Sequence, residues 1–312
     1  MPDSSSKPLS QATWLSIGLL SLIFFGAYFV LRALPAAQCG FLHYEEIVNA
    51  DGEIELCATN HAGFIDLTRF SYPIVAEVKS DEPLVPGVKS TIDLSLETAG
   101  GTGIAPHELA VTHTKKMHVM VIDPSLEDYH HVHPSADGLS GSYQFDFTPT
   151  RTGKYRVFTE IVPLRSRSQA IALSEIEVPG AAHRPEFVRS TESLVDGVRF
   201  ELLGAPERLK TGRDYRFELK IADIEGGSIA LETVMGAKGH MVAFDGEGRG
   251  FAHMHPMDSV ASARTAGFGG TEAAGTELAF LFNVPNAGWY RLFAQIQVQG
   301  EPVFGRFDLK VE

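Results

Sequence analysis

The chain has 312 residues, of which 44% are apolar and 21% charged, the balance of a globular protein with room for two ordinary hydrophobic cores. Its 26 basic and 39 acidic residues give a net charge of −13. No long Lys/Arg cluster is present, and the short runs Lys115-Lys116 and Arg165-Ser166-Arg167 read as solvated surface, so nucleic acid is not expected as a partner.

Residues 1–35 read as a cytoplasmic tail and a transmembrane anchor. No charge occurs from Pro8 to Leu31, and Trp14 to Leu31 is strongly apolar, close to the roughly 20 helical residues that span a bilayer core. Trp14 and Tyr28 suit the two interfaces and Arg32 stops the run. A cleaved signal peptide is the competing reading, with Pro35-Ala36-Ala37 as a poor cleavage site and a single Lys7 as a weak basic leader. Both readings export the remainder, and the expected location is the cell membrane, single-pass, with the C-terminal part periplasmic or outside.

Residues 36–80 form a preamble. Asp51-Gly52 predicts a hairpin turn between Glu45-Glu46-Ile47-Val48 and Glu53-Ile54-Glu55-Leu56. The two cysteines, Cys39 and Cys57, could pair in an exported chain, although that register does not set them opposite one another; Cys57 with His61 could alternatively be half of a metal site.

Beyond the preamble, an internal repeat decides the architecture. When His118 is aligned with His240, His131 matches His253, His133 matches His255 and Pro134 matches Pro256, with no gap. Phe145-x-Phe147 and Phe280-x-Phe282 come next, then Gly-Lys-Tyr155-Arg156-Val-Phe158 and Gly-Trp-Tyr290-Arg291-Leu-Phe293. The first copy spans 81–179 and the second 190–312, separated by a Pro/Gly-containing linker at 180–189; the second carries a Gly/Ala-rich insertion around 261–276. Apolar residues alternate with period two (Tyr290, Leu292, Ala294, Ile296, Val298), turns are marked by Gly, Pro and Asp, and no long helical pattern occurs after the anchor. The predicted fold is all-β: two tandem immunoglobulin-like antiparallel β-sandwich domains after an N-terminal transmembrane helix, with Gly-x-Tyr in each copy resembling a tyrosine corner.

Each His-x12-His-x-His-Pro falls on a strand, a six-residue polar turn and a second strand. A symmetrical hairpin sets His118 opposite His133 and His240 opposite His255, and residues two apart share a face. The three imidazoles of each copy would then converge, a common way to hold a transition metal. The expected metal ligands are His118, His131 and His133 in one site and His240, His253 and His255 in another. Met120, Met241, Met254 and Met257 are possible auxiliary ligands, since every methionine except Met1 lies in or beside these segments and thioethers suit copper. Copper is the expected ion, with zinc as the alternative. The competing reading makes the histidines structural pins of the fold. His107, His113 and His130 have no counterparts in the second copy and read as surface or loop residues.

No catalytic order is legible. His107-Glu108 begins like a His-Glu-x-x-His motif, but Val111 stands at the required second histidine, and the Gly100 to Gly103 run lacks the Lys-Ser/Thr of a phosphate loop. The expectation is a non-enzymatic protein, with metal-assisted chemistry at an open three-histidine site as the alternative.

Met235-Gly-Ala-Lys-Gly-His240-Met-Val, Phe251-Ala-His253-Met-His255-Pro and Gly288-Trp-Tyr290-Arg resemble bacterial exported immunoglobulin-like domains of the YtkA-like kind and, more distantly, the CopC-like copper-resistance kind. The resemblance covers roughly residues 83–178 and 190–312. It implies an extracytoplasmic β-sandwich that handles copper without enzymatic activity. CopC-like proteins bind copper at a free mature N-terminus with a nearby histidine; here the N-terminus enters an apolar segment, so that site is not carried over. The function expected is a membrane-anchored extracytoplasmic metal-binding protein for buffering, or for delivery to a membrane-protein or metal-trafficking partner. A cell-envelope scaffold or protein-interaction module is the alternative.

Overall fold

The computed structural model describes residues 10–33, 44–48, 52–58, 63–69, 71–234, 237–257 and 277–312. Cys39, His61, Met235 and the 261–276 insertion fall outside these residues. The chain divides into two units, residues 1–40 and 41–312.

The first unit contains one helix, α1 (Gln11–Ala33). Ser10 precedes it, and its Oγ accepts the Thr13 backbone N–H at 3.2 Å, satisfying one of the free donors of the first turn. The stretch Gln11–Val30 is long and apolar enough to cross a membrane or to serve as a signal sequence.

The second unit is antiparallel β. It opens with a hairpin of β1 (Tyr44–Val48) and β2 (Ile54–Ala58), in which Cys57 pairs in register with Glu45. The short β3 (Ile65–Asp66) and β4 (Ile74–Lys79) complete the preamble. The first sandwich adds β5 (Ser90–Thr98), β6 (Met117–Ile122), β7 (Tyr129–Val132), β8 (Ser135–Ala136), β9 (Ser142–Phe147), β10 (Gly153–Ile161) and β11 (Ala170–Val178). Its sheets run β4-β5-β9-β8 and β11-β10-β6-β7, so β4 belongs to it and the sandwich begins ahead of residue 81. The second comprises β12 (Glu192–Val195), β13 (Val198–Leu203), β14 (Tyr215–Asp223), β15 (His240–Asp245), β16 (Gly250–Met254), β17 (Glu277–Phe282), β18 (Gly288–Val298) and β19 (Glu301–Val311). Its sheets run β12-β13-β14-β17 and β19-β18-β15-β16-β3. The preamble thus lends a strand to each sandwich. At Gly250 the β3 backbone comes so close that a Cβ would lie 1.7 Å from the Ile65 carbonyl oxygen.

Alternation fills each core. Ile92, Leu94, Leu96, Val119, Val121, Tyr155 and Val157 pack inside the first sandwich, and Phe200, Phe217, Leu219, Met241, Ala243, Met254, Leu292 and Phe307 inside the second. Both tyrosine corners form. The Tyr290 hydroxyl donates to the Asn286 carbonyl at 2.8 Å, whereas the Tyr155 hydroxyl accepts the Arg151 backbone N–H at 3.0 Å and gives its own proton to the Asp128 carboxylate at 2.5 Å; Arg151 and Asn286 each lie four residues upstream.

The sheets β11-β10-β6-β7 and β19-β18-β15-β16-β3 are apolar on their outer faces as well, and those faces pack against each other. Met120, Ile122, Leu126, Tyr129, Phe158 and Ile171 meet Val242, Phe244, Phe251 and Phe293 in a third buried cluster. Every residue of β6, β15 and β16 is buried. Burial of a side chain of this size contributes about 1.5–3 kcal/mol, so the two repeats form a single packed body.

Arginines at equivalent positions lock this junction reciprocally. Arg291 on β18 reaches the β6–β7 turn, donating to the carbonyls of Ser125 and Leu126 at 3.2 Å each. It is fully buried, clasps Asp308 through two hydrogen bonds of 2.7 Å, donates to the Glu186 carbonyl of the linker and lies 5.0 Å from the centre of the Phe187 ring. Arg156 on β10 lies against Gly248 in the β15–β16 turn, where any side chain would strike its guanidinium. Leu126 and Gly248 are themselves equivalent, and both adopt the left-handed backbone, φ +57° and +68°. Replacing Arg291 with Ala strands the Asp308 carboxylate in the junction. The expected loss is about 3–5 kcal/mol in urea unfolding, and a loss below about 1 kcal/mol would contradict this account of the junction.

Candidate metal centre

β6 pairs with β7 as Val119↔Val132 and Met120↔His131, and β15 with β16 as Met241↔Met254 and Val242↔His253. Continued by one residue, these registers set His118 against His133 and His240 against His255. All six imidazoles lie on the outer faces of the two inner sheets, at the end of the apolar junction. The donor atoms of His118, His131 and His133 lie within 4.8 Å of one another, and so do those of His240, His253 and His255. The two trios also face each other: ring centres are 5.2 Å apart for His131 and His253 and 5.7 Å for His118 and His253. The spacing in the sequence implies two separate sites; the packing of the repeats makes them one cluster.

The trios are supported crosswise. Glu160 on β10 pairs in register with His118 and accepts the Nδ1–H of His253 at 3.2 Å. Gln295 on β18 pairs with His240, and its Oε1 accepts the Nδ1–H of His131 at 3.1 Å. Each repeat therefore orients the middle histidine of the other. His118 donates its Nε2–H to the Thr112 carbonyl at 2.9 Å, which leaves its Nδ1 bare and 3.2 Å from His131 Nε2. Two nitrogens bound to one tetrahedral ion at about 2.0–2.1 Å lie about 3.3 Å apart, so this pair already has a chelating separation.

His133 Nε2, both nitrogens of His240, His253 Nε2 and His255 Nδ1 are buried and have no hydrogen-bond partner among the described residues. A buried polar atom left unpaired costs about 1–3 kcal/mol, and a bare imidazole nitrogen is satisfied equally by a metal ion. The donor set therefore fits an imidazole-preferring ion.

His113, read from the sequence as a surface or loop residue and here corrected because its turn folds it onto the cluster, and Glu160, not singled out from the sequence, complete the surroundings, with Gln295 as the counterpart of Glu160. His113 sits in a tight turn with φ +50° and stacks on His255, ring centres 3.6 Å apart. The repeat alignment held a signal for the other two, since Glu160 and Gln295 stand the same five and four residues after the shared Tyr-Arg. His113 has no counterpart and left no such signal. His130 points away, 3.0 Å from Asp128 and edge-on to Phe147, and His107 is exposed. Of the possible auxiliary ligands, Met241 and Met254 are corrected: both lie in the core of the second sandwich, because strand neighbours of a histidine point to the opposite face. Met120 shares the histidine face but is packed into the apolar junction, and Met257 lies 4.0 Å from Arg216 Nη1.

Burial, reinforced by neighbouring imidazoles, lowers His113 to about 3 and His133 to about 3, and pushes His131, His240 and His255 well below the ordinary 6.5. Burial also lowers His118, to about 4, against the opposing pull of Glu160. Burial alone would raise the Glu160 carboxyl, but hydrogen bonds from His253 and Gln169 and the nearby imidazoles outweigh it and hold it at about 2. His113, His118, His131, His133, His240 and His255 are thus held neutral beside one carboxylate, the protonation state that metal ligation requires.

These features define a class: a duplicated all-β protein whose repeats share a buried histidine cluster. The chain belongs to the family described as Domain of unknown function (DUF8832), whose model matches twice, over residues 75–174 and 193–312. No curated protein matches the chain. Among solved structures, Escherichia coli alpha-2-macroglobulin activated by porcine elastase is similar at 12% identity and a TM-score of 0.21, over 78% of this chain and 24% of that one. A Salmonella alpha-2-macroglobulin mutant is similar at 13% and 0.25, over 80% of this chain and 16% of that one. The chain spans about a quarter or less of either, and likeness at this level carries no argument about the site.

Histidines whose folded pKa lies below the unfolded 6.5 stabilise the protein above that value and lose the contribution as pH falls through it towards 3 to 4. Metal-free protein is therefore expected to show a clear drop in urea midpoint between pH 7 and pH 5. A flat profile over that interval would mean the imidazoles are not held neutral.

Proposed function

We propose that this protein is a membrane-anchored, extracytoplasmic metal-binding protein that buffers a transition-metal ion or delivers it to a membrane partner. The observation that carries the reading is the set of buried, partnerless imidazole nitrogens gathered in two trios. All-imidazole coordination suits Cu(II) or Zn(II), and copper is preferred on the resemblance to YtkA-like and CopC-like domains. His133 lines a surface cleft with Thr91, Lys115, Val132, Ser135, Gln144 and Asp146, which gives an ion a route to the first trio. The N-terminal helix supplies the anchor, and export of the β unit fits its lack of a second span among the described residues.

Purified full-length protein in detergent is expected to take up Cu(II) or Zn(II) and to melt at a higher temperature when loaded, because an ion bound only by the native state stabilises it. The variant with all six histidines changed to Ala is expected to do neither. Equal loading of the two proteins would remove the proposal. For the anchor, full-length protein is expected to resist alkaline carbonate extraction from membranes, and a chain lacking residues 1–35 to be soluble. Release of the full chain by carbonate would contradict the anchored reading.

The second reading, a scaffold with histidines as structural pins, is favoured by a specific arrangement. Were the Gln295 amide turned over, Gln295, His131, His118 and Thr112 would form an unbroken hydrogen-bond chain without metal. That reading predicts that His131→Ala lowers the melting temperature and that added metal never raises it.

A further inference from the structure

We infer that the six histidines form one dinuclear centre with unequal halves, in which His240, His253 and His255 take the first ion and His118, His131 and His133 the second. This rests on the metal-binding reading above and adds the number of ions, their order and its cause.

The inequality comes from one difference between otherwise matched supports. Gln295 and Glu160 occupy equivalent positions, each pairing in register with the first histidine of its own repeat and bonding Nδ1 of the middle histidine of the other. An amide can present either its oxygen or its NH2, so Gln295 allows His131 to carry its proton on either nitrogen. An ionised carboxylate only accepts. Glu160 therefore engages His253 through Nδ1, and Nε2, buried and without a hydrogen-bond partner among the described residues, is the atom left to face an ion.

The count of unsatisfied atoms agrees. In the second trio His240 Nδ1 and Nε2, His253 Nε2 and His255 Nδ1 have no partner among the described residues, whereas in the first only His133 Nε2 lacks one. In the first trio His131 and His118 can join a hydrogen-bond chain from Gln295 to Thr112, whereas the second has no such chain among the described residues, and a cation would supply the missing partners. A carboxylate behind a ligating histidine also raises the basicity of the ligand, and its loss typically costs 10–100-fold in metal affinity. The trios are too close to be independent. With ring centres 5.2 and 5.7 Å apart across the junction, two cations would repel each other at short range, and among the described residues Glu160 is the one buried anion at the cluster. The first ion is bound with that charge offset, and the second without it.

The test is competition of full-length protein for Zn(II) against a chromophoric chelator, with bound zinc counted by elemental analysis. Wild type is expected to bind two ions per chain in steps at least about 10-fold apart. Glu160→Gln is expected to weaken the tight step about 10–100-fold and merge the two, and Gln295→Glu to tighten the weak one. His255→Ala should remove the tight step and His133→Ala the weak one. One ion per chain, two equal steps, an unchanged tight step in Glu160→Gln, or loss of the weak step in His255→Ala would overturn the inference while leaving metal binding intact. No zinc uptake by wild type would overturn metal binding itself. If Glu160→Gln loses its cooperative melting transition, Gln295→Glu and the two single-histidine variants decide the question.

Discussion

Two sheets that would each face water in an isolated sandwich are apolar on their outer sides, and covering those sides is the constraint on which the rest of the molecule depends. Met120, Ile122, Tyr129 and Phe158 on one and Val242, Phe244, Phe251 and Phe293 on the other have no other partner large enough to bury them among the described residues. The repeats accordingly stack inner sheet to inner sheet. The histidine hairpins belong to those sheets, so the packing that hides the apolar faces also brings six imidazoles together. The site is a consequence of the junction, and neither repeat holds it alone.

The junction is reciprocal in the way a twofold interface is, although both halves belong to one chain. Arg291 reaches the turn at Leu126 while Arg156 reaches the turn at Gly248; Gln295 holds His131 while Glu160 holds His253. Four contacts made between positions matched by the repeat itself are hard to reconcile with incidental contact between two beads on a string. They describe an arrangement in which duplication supplied both halves of a self-complementary surface. The linker is part of it, since Phe187 stacks on Trp289 at 5.5 Å and Glu186 receives Arg291.

Much of this was legible in the sequence, and the limits have physical causes. The gapless spacing of His118, His131 and His133 against His240, His253 and His255 was enough to set the hairpin register, because a six-residue turn between strands of period two leaves one symmetrical pairing. The tyrosine corners were legible because Tyr155 and Tyr290 come just after a strand-opening glycine. The union of the trios was missed, although Val119-Met120-Val121-Ile122 carried the clue: a strand of a free sandwich alternates apolar and polar, and one that does not is covered on both faces. His113 could not have been found. Its approach to His255 depends on a two-residue turn with left-handed backbone at His113 and Thr114, which no periodicity records.

The same geometry bears on why the supports differ. Two carboxylates at positions 160 and 295 would place two negative charges in a junction whose other groups are imidazoles and apolar side chains, and two amides would leave no carboxylate there. One of each gives a pocket carrying a single negative charge. Among the described residues the only ion-pair partner of Glu160 is His253, whose Nδ1 lies 3.2 Å from the carboxylate. The Glu160 carboxyl is held ionised at about 2 in a site where burial opposes charge. The fold meets the hydrogen-bonding needs of Glu160 through His253 and Gln169, and on the metal-binding proposal an ion held by the imidazoles would sit beside that charge.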